Sequence, residues 1–446
     1  MSNSNRASFG GKLSAILVAA GSAIGLGSIW RFPYLAGENG GAAFLLVYLL
    51  CIFVIAIPVM LCEFAIGRNT KQNAVGAFRT LSKGWQFLGF CGILCALFIS
   101  GYYYVIAGWS LDYLVNSVNG SLYNGEINFA EQFTTFQASN WPILYAIIFI
   151  LLTHFIIARG VVKGIEKASN IMMPILFVIL IFMAIRVAFM PGAAEGYRFF
   201  LTPDFKQAFS TETLFQAAGQ AFFSLSVGMG CMITYASYFN EKTKLIGTSM
   251  SVSLLTLFVA TLAGLVIFPA VFSAGLQPTE GPSLIFITLP EIFKGMPFAP
   301  LWSAVFFILI ALAALTSTIS FHEVLTAYIS EEMKVKRITA TYITTGITIV
   351  LTLITLLVTF DLDLFGKNFT STFDLYDFAS ANVLLPLGGF LTCIFAGWFM
   401  KPTFFKNEIT NYGNLPVKIL PILFVLVRYI APVIILYIFV KGLGII

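Results

Sequence analysis

Apolar residues run along this chain in blocks of about 20, the length at which an α-helix crosses a bilayer. A membrane barrel would instead alternate over about 10 residues. Eleven blocks are expected as spans, near 12–36, 41–66, 86–117, 141–158, 166–187, 213–239, 243–273, 299–332, 338–359, 375–400 and 417–442. The segment 279–297 is amphipathic and too short to span. It reads as an external hairpin of short helices, opened by Gly281-Pro282. The first block is unlike the others. Its stretch Ala20–Tyr34, AGSAIGLGSIWRFPY, holds Gly21, Gly25 and Gly27, then Arg31 and Pro33. Inside a helix glycine costs about 1 kcal/mol against alanine, and proline about 3. In hydrocarbon, broken helix is tolerated only where it faces protein or a water-filled cavity. Ser22–Ser28 is therefore expected to be an unwound hinge between two half-helices. Its carbonyls can hold a cation, and the N–H groups opening the second half can hold an anion.

The sixth block repeats the irregularity. Phe222–Phe239 reads FFSLSVGMGCMITYASYF, and Ser224 and Ser226 precede Gly228-Met229-Gly230 as Ser22 precedes Gly25-Leu26-Gly27. The two stretches lie five spans apart. Five is odd, so the second unit would sit upside down relative to the first. Interrupted spans at matching positions of inverted halves point to a binding site near the midplane. The alternative is two glycine-rich helices in a tight bundle, since glycine also serves close packing.

Composition agrees with the membrane assignment: 59% of the 446 residues are hydrophobic and 10% charged, where a soluble domain has about 25%. The net charge of +5 does not point to nucleic acid, because the basic residues cluster between spans. Most of them, Arg6, Lys71, Arg159, Lys244, Arg337 and Lys406 included, share one side of the membrane, and 118–140 holds none. The positive-inside rule then gives a cytoplasmic N-terminus and an external C-terminus. No cleavable signal pattern is seen at the start, so the first span is expected to stay. The six cysteines all lie in apolar runs and read as buried thiols. Cys91 and Cys95 share a helix face, but nothing completes a metal set. No nucleophile–base pair is visible either, so an enzyme is not expected.

Several motifs carry a resemblance. GSAIGLGSIWRFPY, ENGGAAFLLVY (Glu38–Tyr48), IPVMLCEFAIGR (Ile57–Arg68), ITYASYF in the sixth span and LTSTIS (Leu315–Ser320) in the eighth resemble the neurotransmitter:sodium symporter family. The likeness is to its bacterial amino-acid branch and runs over essentially the whole chain from Arg6. It implies an all-α integral membrane protein of eleven helices, a 5+5 inverted repeat of the LeuT type with helices 1 and 6 unwound. The division would be an inner-gate segment 1–11, a first repeat 12–187, an external loop 188–212, a second repeat 213–400, and a cytoplasmic loop with a last helix over 401–446. The implied activity is sodium-coupled import of an amino acid by alternating access, in a bacterial inner membrane. The partners would be substrate, ions and lipid, with no nucleic acid. Two alternatives keep the fold: an amino-acid sensor that does not transport, and a proton-coupled carrier.

The resemblance also places sites. One sodium ion would be held by the carbonyls of Gly21, Ile24 and Ala313 and the hydroxyls of Thr316 and Ser317, five oxygens suited to a hard cation. Taken alone, those two residues favour the plainer reading of hydroxyls bonded to their own helix. A second ion maps to Ala23, Ser28, Ser224 and Thr256. The family usually has Asn where Ser28 and Thr256 stand here, and their shorter arms leave this site open. Chloride is open too: Ala260 supplies neither carboxylate nor hydroxyl, although Tyr48, Gln220 and Ser224 keep the chloride pattern. The amine-transporting branch has Asp at Gly25. Glycine there leaves room for a substrate carboxylate, received by the Leu26 and Gly27 N–H groups and the Tyr103 hydroxyl. The amino group would meet carbonyls of Ala23, Phe223 and Ser226, beside Ser224. The side-chain pocket maps to Ile99, Tyr103, Phe223, Ser226, Met229, Ser317 and Phe321, which suits a neutral hydrophobic or aromatic side chain. Arg31 and Asp377 match an external gate above Tyr103 and Phe223. Arg6 and Glu331 match an inner gate, latched by Ser237 and Tyr238. Glu63 looks like a buried carboxylate that satisfies backbone N–H groups freed at the hinge. His154 and His322 fit no pattern and read as structural.

Overall fold

The computed structural model describes residues 6–125, 128–208, 210–275 and 285–445. Among these, nine helices are long and apolar enough to cross a membrane: Ala42–Thr70, Lys83–Val118, Trp141–Ala158, Val161–Ala188, Leu245–Ser273, Ala299–Glu332, Arg337–Leu357, Thr372–Phe399 and Leu420–Gly442. They are the second to fifth and seventh to eleventh expected spans. The first is a pair of half-helices, Lys12–Ala23 and Gly27–Glu38, bent by 57°. The sixth is likewise broken, into Thr211–Ser224 and Cys231–Ala236. In the third and eighth spans 72% of the most apolar window is buried, against 33% in the fifth and eleventh. The former pair therefore forms the centre of the bundle, and the latter present apolar faces outward. The first span's halves lean on the seventh and eighth spans.

Proline explains much of the helix irregularity. Wide turns with hydrogen bonds reaching five residues back occur at Gly27–Arg31, Ile52–Ala56, Ala379–Leu384 and Leu426–Ile430. Each ends two residues before a proline: Pro33, Pro58, Pro386 and Pro432. A proline ring offers no N–H and crowds the carbonyl four residues back. Widening the turn by one residue relieves that crowding and keeps the chain helical.

Three features differ from expectation. The first-span break is narrower than Ser22–Ser28: helix runs to Ala23 and resumes by Gly27. The chain is not purely helical, because Thr359–Leu364 pairs antiparallel with Lys367–Ser371 in a two-stranded hairpin between the ninth and tenth spans. Glycine at 366, with φ of +71°, makes its tight turn possible. The expected hairpin 279–297 is only partly covered. Gly281-Pro282 lies outside the described residues, and Thr288–Lys294 is a helix. The loop 188–212 also carries a helix, Ala193–Leu201.

Candidate functional site

The two helix breaks face each other in the middle of the bundle, and their freed backbone groups are taken up by side chains from other spans. The Leu26 N–H donates to the Tyr103 hydroxyl at 2.9 Å. The Gly27 carbonyl accepts from Gln220 Nε2 at 2.6 Å. The Ser22 carbonyl accepts from the Ser226 hydroxyl at 2.9 Å, so one break is tied directly to the other. Glu63 Oε1 accepts the Gly228 N–H at 2.6 Å. The buried carboxylate thus serves the sixth-span break, where the sequence placed it beside the first. These contacts meet the requirement that backbone at membrane depth be satisfied by protein.

Glycine matters here through close approach. A Cβ at Gly25 would lie 2.0 Å from Ser317 Oγ and 2.6 Å from the Tyr103 hydroxyl. One at Gly228, whose φ is +89°, would lie 2.4 Å from the Leu385 carbonyl oxygen. The space that Gly25 leaves is therefore occupied by two hydroxyls, both able to bond a polar group set between them.

All the residues assigned to the substrate except Leu26 line one cavity, and Ser22 joins them. It has about 10 Å³ of room, enough for one water. No charged side chain lines it. Tyr103 meets Phe321 edge to face with ring centres 5.2 Å apart. Phe223 separates it from a larger cavity of about 350 Å³ that Arg31, Asp377, Trp30 and Gln220 also line.

Three of the five oxygens assigned to the first cation meet at Thr316. Thr316 Oγ1 lies 3.2 Å from the Ile24 carbonyl and 2.9 Å from that of Ala313. Its one proton serves one of them at a time, which leaves its lone pairs free for a cation. A Cβ at Gly21 would sit 3.5 Å from Thr316 Cβ, and Ser317 Oγ is 3.5 Å from the Ser22 carbonyl. In the second set the hydroxyls of Ser224 and Thr256 are engaged elsewhere. Ser28 donates to the Ala23 carbonyl at 3.3 Å, but Ser224 pairs with Tyr48 at 2.6 Å and Thr256 donates to Val252 in its own helix at 2.9 Å. A short hydroxyl arm turns back to its own turn where an amide could reach across. Of the chloride pattern, Tyr48 meets Ser224 while Gln220 bonds the Gly27 carbonyl, and Ala260 is fully buried.

Both gate pairs meet. Arg31 Nη1 lies 3.8 Å from Asp377 Oδ1, and its guanidinium sits 4.7 Å from the centre of the Phe223 ring. At the opposite end Arg6 Nη1 bonds Glu331 Oε1 at 2.5 Å. Tyr238 contributes there through its ring, 4.6 Å beneath the Arg6 guanidinium. Its hydroxyl goes elsewhere, to Glu323 at 2.6 Å. Ser237 takes no part in the latch: its hydroxyl donates to the Thr234 carbonyl one turn back, satisfying a helix end inside the bundle.

Sequence reasoning missed three contributors at this end. Glu323 holds Arg337 through bonds of 2.8 and 2.5 Å. Asn73 caps Ala74–Leu81 and donates both its backbone N–H (2.8 Å) and its side-chain amide (3.0 Å) to Glu331 Oε2. Glu332 pairs with Arg79. The signal for Glu323 was legible, since a carboxylate inside an apolar span calls for a partner.

Comparison with known proteins agrees with this geometry. The model of the sodium:neurotransmitter symporter family matches residues 6–135 and 122–445. An uncharacterized sodium-dependent transporter of Bacillus subtilis (strain 168) is 37% identical, the match covering 100% of this chain and 99% of that protein. Another, of Haemophilus influenzae, is 35% identical, with 99% of each chain covered. The crystal structure of MhsT in complex with L-phenylalanine superposes with a TM-score of 0.90 at 40% identity, covering 98% of this chain and 100% of that one. The chain, with its LeuT fold, therefore belongs to the sodium:neurotransmitter symporter family, and it is a sodium-coupled membrane transporter, not an enzyme.

Proposed function

We propose that the protein imports a neutral amino acid with a hydrophobic or aromatic side chain, together with sodium, by alternating access. One observation carries this reading: two broken helices close on a cavity that has no charged side chain and sets Tyr103 beside the Leu26 N–H. A zwitterion supplies both charges itself. Its carboxylate would take the N–H groups of Leu26 and Gly27 and the Tyr103 hydroxyl, and its ammonium the carbonyls near Ala23, Phe223 and Ser226. Ile99, Met229 and Phe321 would then surround the side chain. The L-phenylalanine in MhsT, a protein 40% identical, supports the same class. A cavity of about 10 Å³ must widen to admit such a substrate, so Phe223 and Tyr103 would part from each other.

Sodium would bind among Gly21, Ile24, Ala313, Thr316 and Ser317. It would join the first span to the eighth, and its loss would free the first span to tilt. Coupling is then a difference in affinity between two states. One charge crossing 100 mV supplies about 2.3 kcal/mol. A tenfold sodium gradient adds about 1.4 kcal/mol, so one ion sustains an accumulation of roughly several hundred-fold. Ala23, Ser28, Ser224 and Thr256 would add a second, weaker ion only if Thr256 turns away from its own helix. The basic residues support an orientation with Arg6 and Glu331 at the cytoplasmic side and Arg31 and Asp377 outside.

The test is uptake of labelled phenylalanine, leucine, glycine and lysine into proteoliposomes, with an inward sodium gradient against potassium. Saturable uptake of phenylalanine or leucine only with sodium is expected. Uptake driven instead by an acid exterior would overturn the sodium assignment, and binding without uptake would favour the sensor.

A further inference from the structure

We propose that the Asp377 end of the bundle carries a second binding site, for an organic ammonium group. The cavity measures about 600 Å³ and lies between the end of the third span, the start of the fourth and the helix Phe129–Ala138. That volume fits a small-molecule ligand. It shares no lining residue with the central cavity or with the space beneath Arg31 and Asp377.

Three observations point to a cation. Asp112 is only 7% exposed, and the hydrogen-bond partners of its carboxylate, Asn116 and Tyr145, are neutral. No basic side chain lines the cavity. A carboxylate so buried is costly unless a positive charge faces it. Second, the Tyr113 hydroxyl and Gln132 Oε1 are buried without hydrogen-bond partners among the described residues. Polar atoms left in that state each cost free energy, and although both residues line the cavity these two atoms are closed off from it, so a donor recovers that cost only by drawing the Gln132 or Tyr113 side chain toward it. Third, aromatic residues line the cavity with the carboxylate: Tyr113, Tyr145 and Trp141, which is 55% exposed and lies 5.9 Å from the Tyr145 ring. Aromatic faces attract alkylammonium groups. A metal ion fits less well, since no group of three His, Cys, Asp or Glu gathers among the described residues. A single carboxylate is a poor cage for a hard cation. The ammonium can belong to a soluble amine or to the headgroup of a lipid such as phosphatidylethanolamine, because the cavity lies at the membrane border.

The experiment is calorimetric titration of benzylammonium onto the purified full chain in phosphatidylglycerol nanodiscs, with uncharged benzyl alcohol as control. One saturable site for the cation and none for the alcohol is expected. Asp112→Asn should weaken binding at least tenfold, and Trp141→Leu several-fold. If Asp112→Asn fails to fold, Trp141→Leu, at the exposed rim, carries the comparison. Repeating the titration in phosphatidylethanolamine discs separates the sources. Weaker apparent binding there, with that lipid retained on the native chain and lost from Asp112→Asn in native mass spectrometry, assigns the site to the headgroup. Unchanged binding assigns it to a soluble amine. Either outcome upholds the site. No saturable binding in phosphatidylglycerol, or equal binding by the variants, overturns it.

Discussion

The two ends of the central pathway are closed by different means. At the Arg6 end, residues of five spans and their flanking segments interlock. Glu331 receives Arg6 and both donors of Asn73, Arg6 covers the Tyr238 ring, and Tyr238 donates to a Glu323 already paired with Arg337. The backbone joins in, with the Phe9 N–H on the Tyr238 carbonyl at 3.0 Å. At the Arg31 end a single ion pair spans 3.8 Å between side chains 27% and 39% exposed, above a cavity of about 350 Å³. At the first end Arg6 and Glu331 are 11% and 30% exposed, Glu323 is fully buried, and the charges share several hydrogen bonds. Those at the second end remain solvated, and such pairs contribute little. In this conformation the Arg6 end is the barrier, and the Arg31 end is the one that opens at small cost. A transporter so built needs a strong reason to open the Arg6 end. On the sodium reading that reason is release of the ion that ties Thr316 to the first-span break.

That asymmetry can be attacked residue by residue. The largest effect is expected from Glu323→Gln. Glu323 is fully buried, and its loss of charge leaves Arg337 facing a neutral group, at a cost of about 3 kcal/mol. A scan of thermal unfolding should show a midpoint lower by several degrees. An unchanged midpoint would mean that Glu323 and Arg337 are not coupled as described. Arg6→Ala comes next. The pair it breaks is only part-buried, so about 2 kcal/mol is expected, a shift of roughly 30-fold toward the state open at that end. Modification of a Ser237→Cys reporter, buried near Arg6, should accelerate to match. Asp377→Asn should do less. With both partners partly solvated, about 1 kcal/mol or below is expected, hence less than about fivefold in substrate affinity measured by equilibrium binding. A loss of more than about tenfold would show that this pair tightens greatly during the cycle and would erase the contrast between the ends.

Much of this was legible in the chain because membrane burial makes exceptions conspicuous. Glycine, proline and charge inside apolar blocks stand out, and the two breaks and Arg31 were found that way, whereas the roles of Glu63 and of the Thr316–Ser317 pair came only with the family resemblance. What stayed hidden depends on direction rather than identity. Nothing in the spacing says that Thr256 turns to Val252 in its own helix, or that Ser237 turns back to Thr234 while Tyr238 reaches Glu323. The histidines make the same point. His154 and His322 fit no motif, yet Thr345 of the ninth span bonds both, at 2.7 and 3.2 Å, and Tyr104 reaches His322 at 3.3 Å. Because the Thr345 hydroxyl donates its proton to the Thr341 carbonyl, both histidines must donate to it. That tautomer assignment needs four spans placed side by side, which no local pattern supplies. The hairpin 359–371 was legible and passed over: Phe360, Leu362 and Leu364 alternate with Asp361 and Asp363 ahead of Gly366, the period-two pattern of a strand, in a short stretch between two spans.

The smallest expected effect separates the two ends by their solvent. Exposed charges are screened by salt over about 8–10 Å at physiological strength, and over about 3 Å near 1 M. Raising ionic strength with potassium chloride at constant sodium should therefore loosen Arg31–Asp377 and leave the Arg6 network nearly as it was. A Phe215→Cys reporter in the cavity beneath Arg31 should react roughly two- to threefold faster at high salt, and the Ser237→Cys reporter by less than about 1.5-fold. The sign matters as much as the size. If both reporters sped up together, the Arg6 end would be held by its charges as loosely as the other. If neither did, the 3.8 Å pair would be incidental, and closure at that end would fall to Phe223, whose ring lies under Arg31 and lines the small central cavity at once.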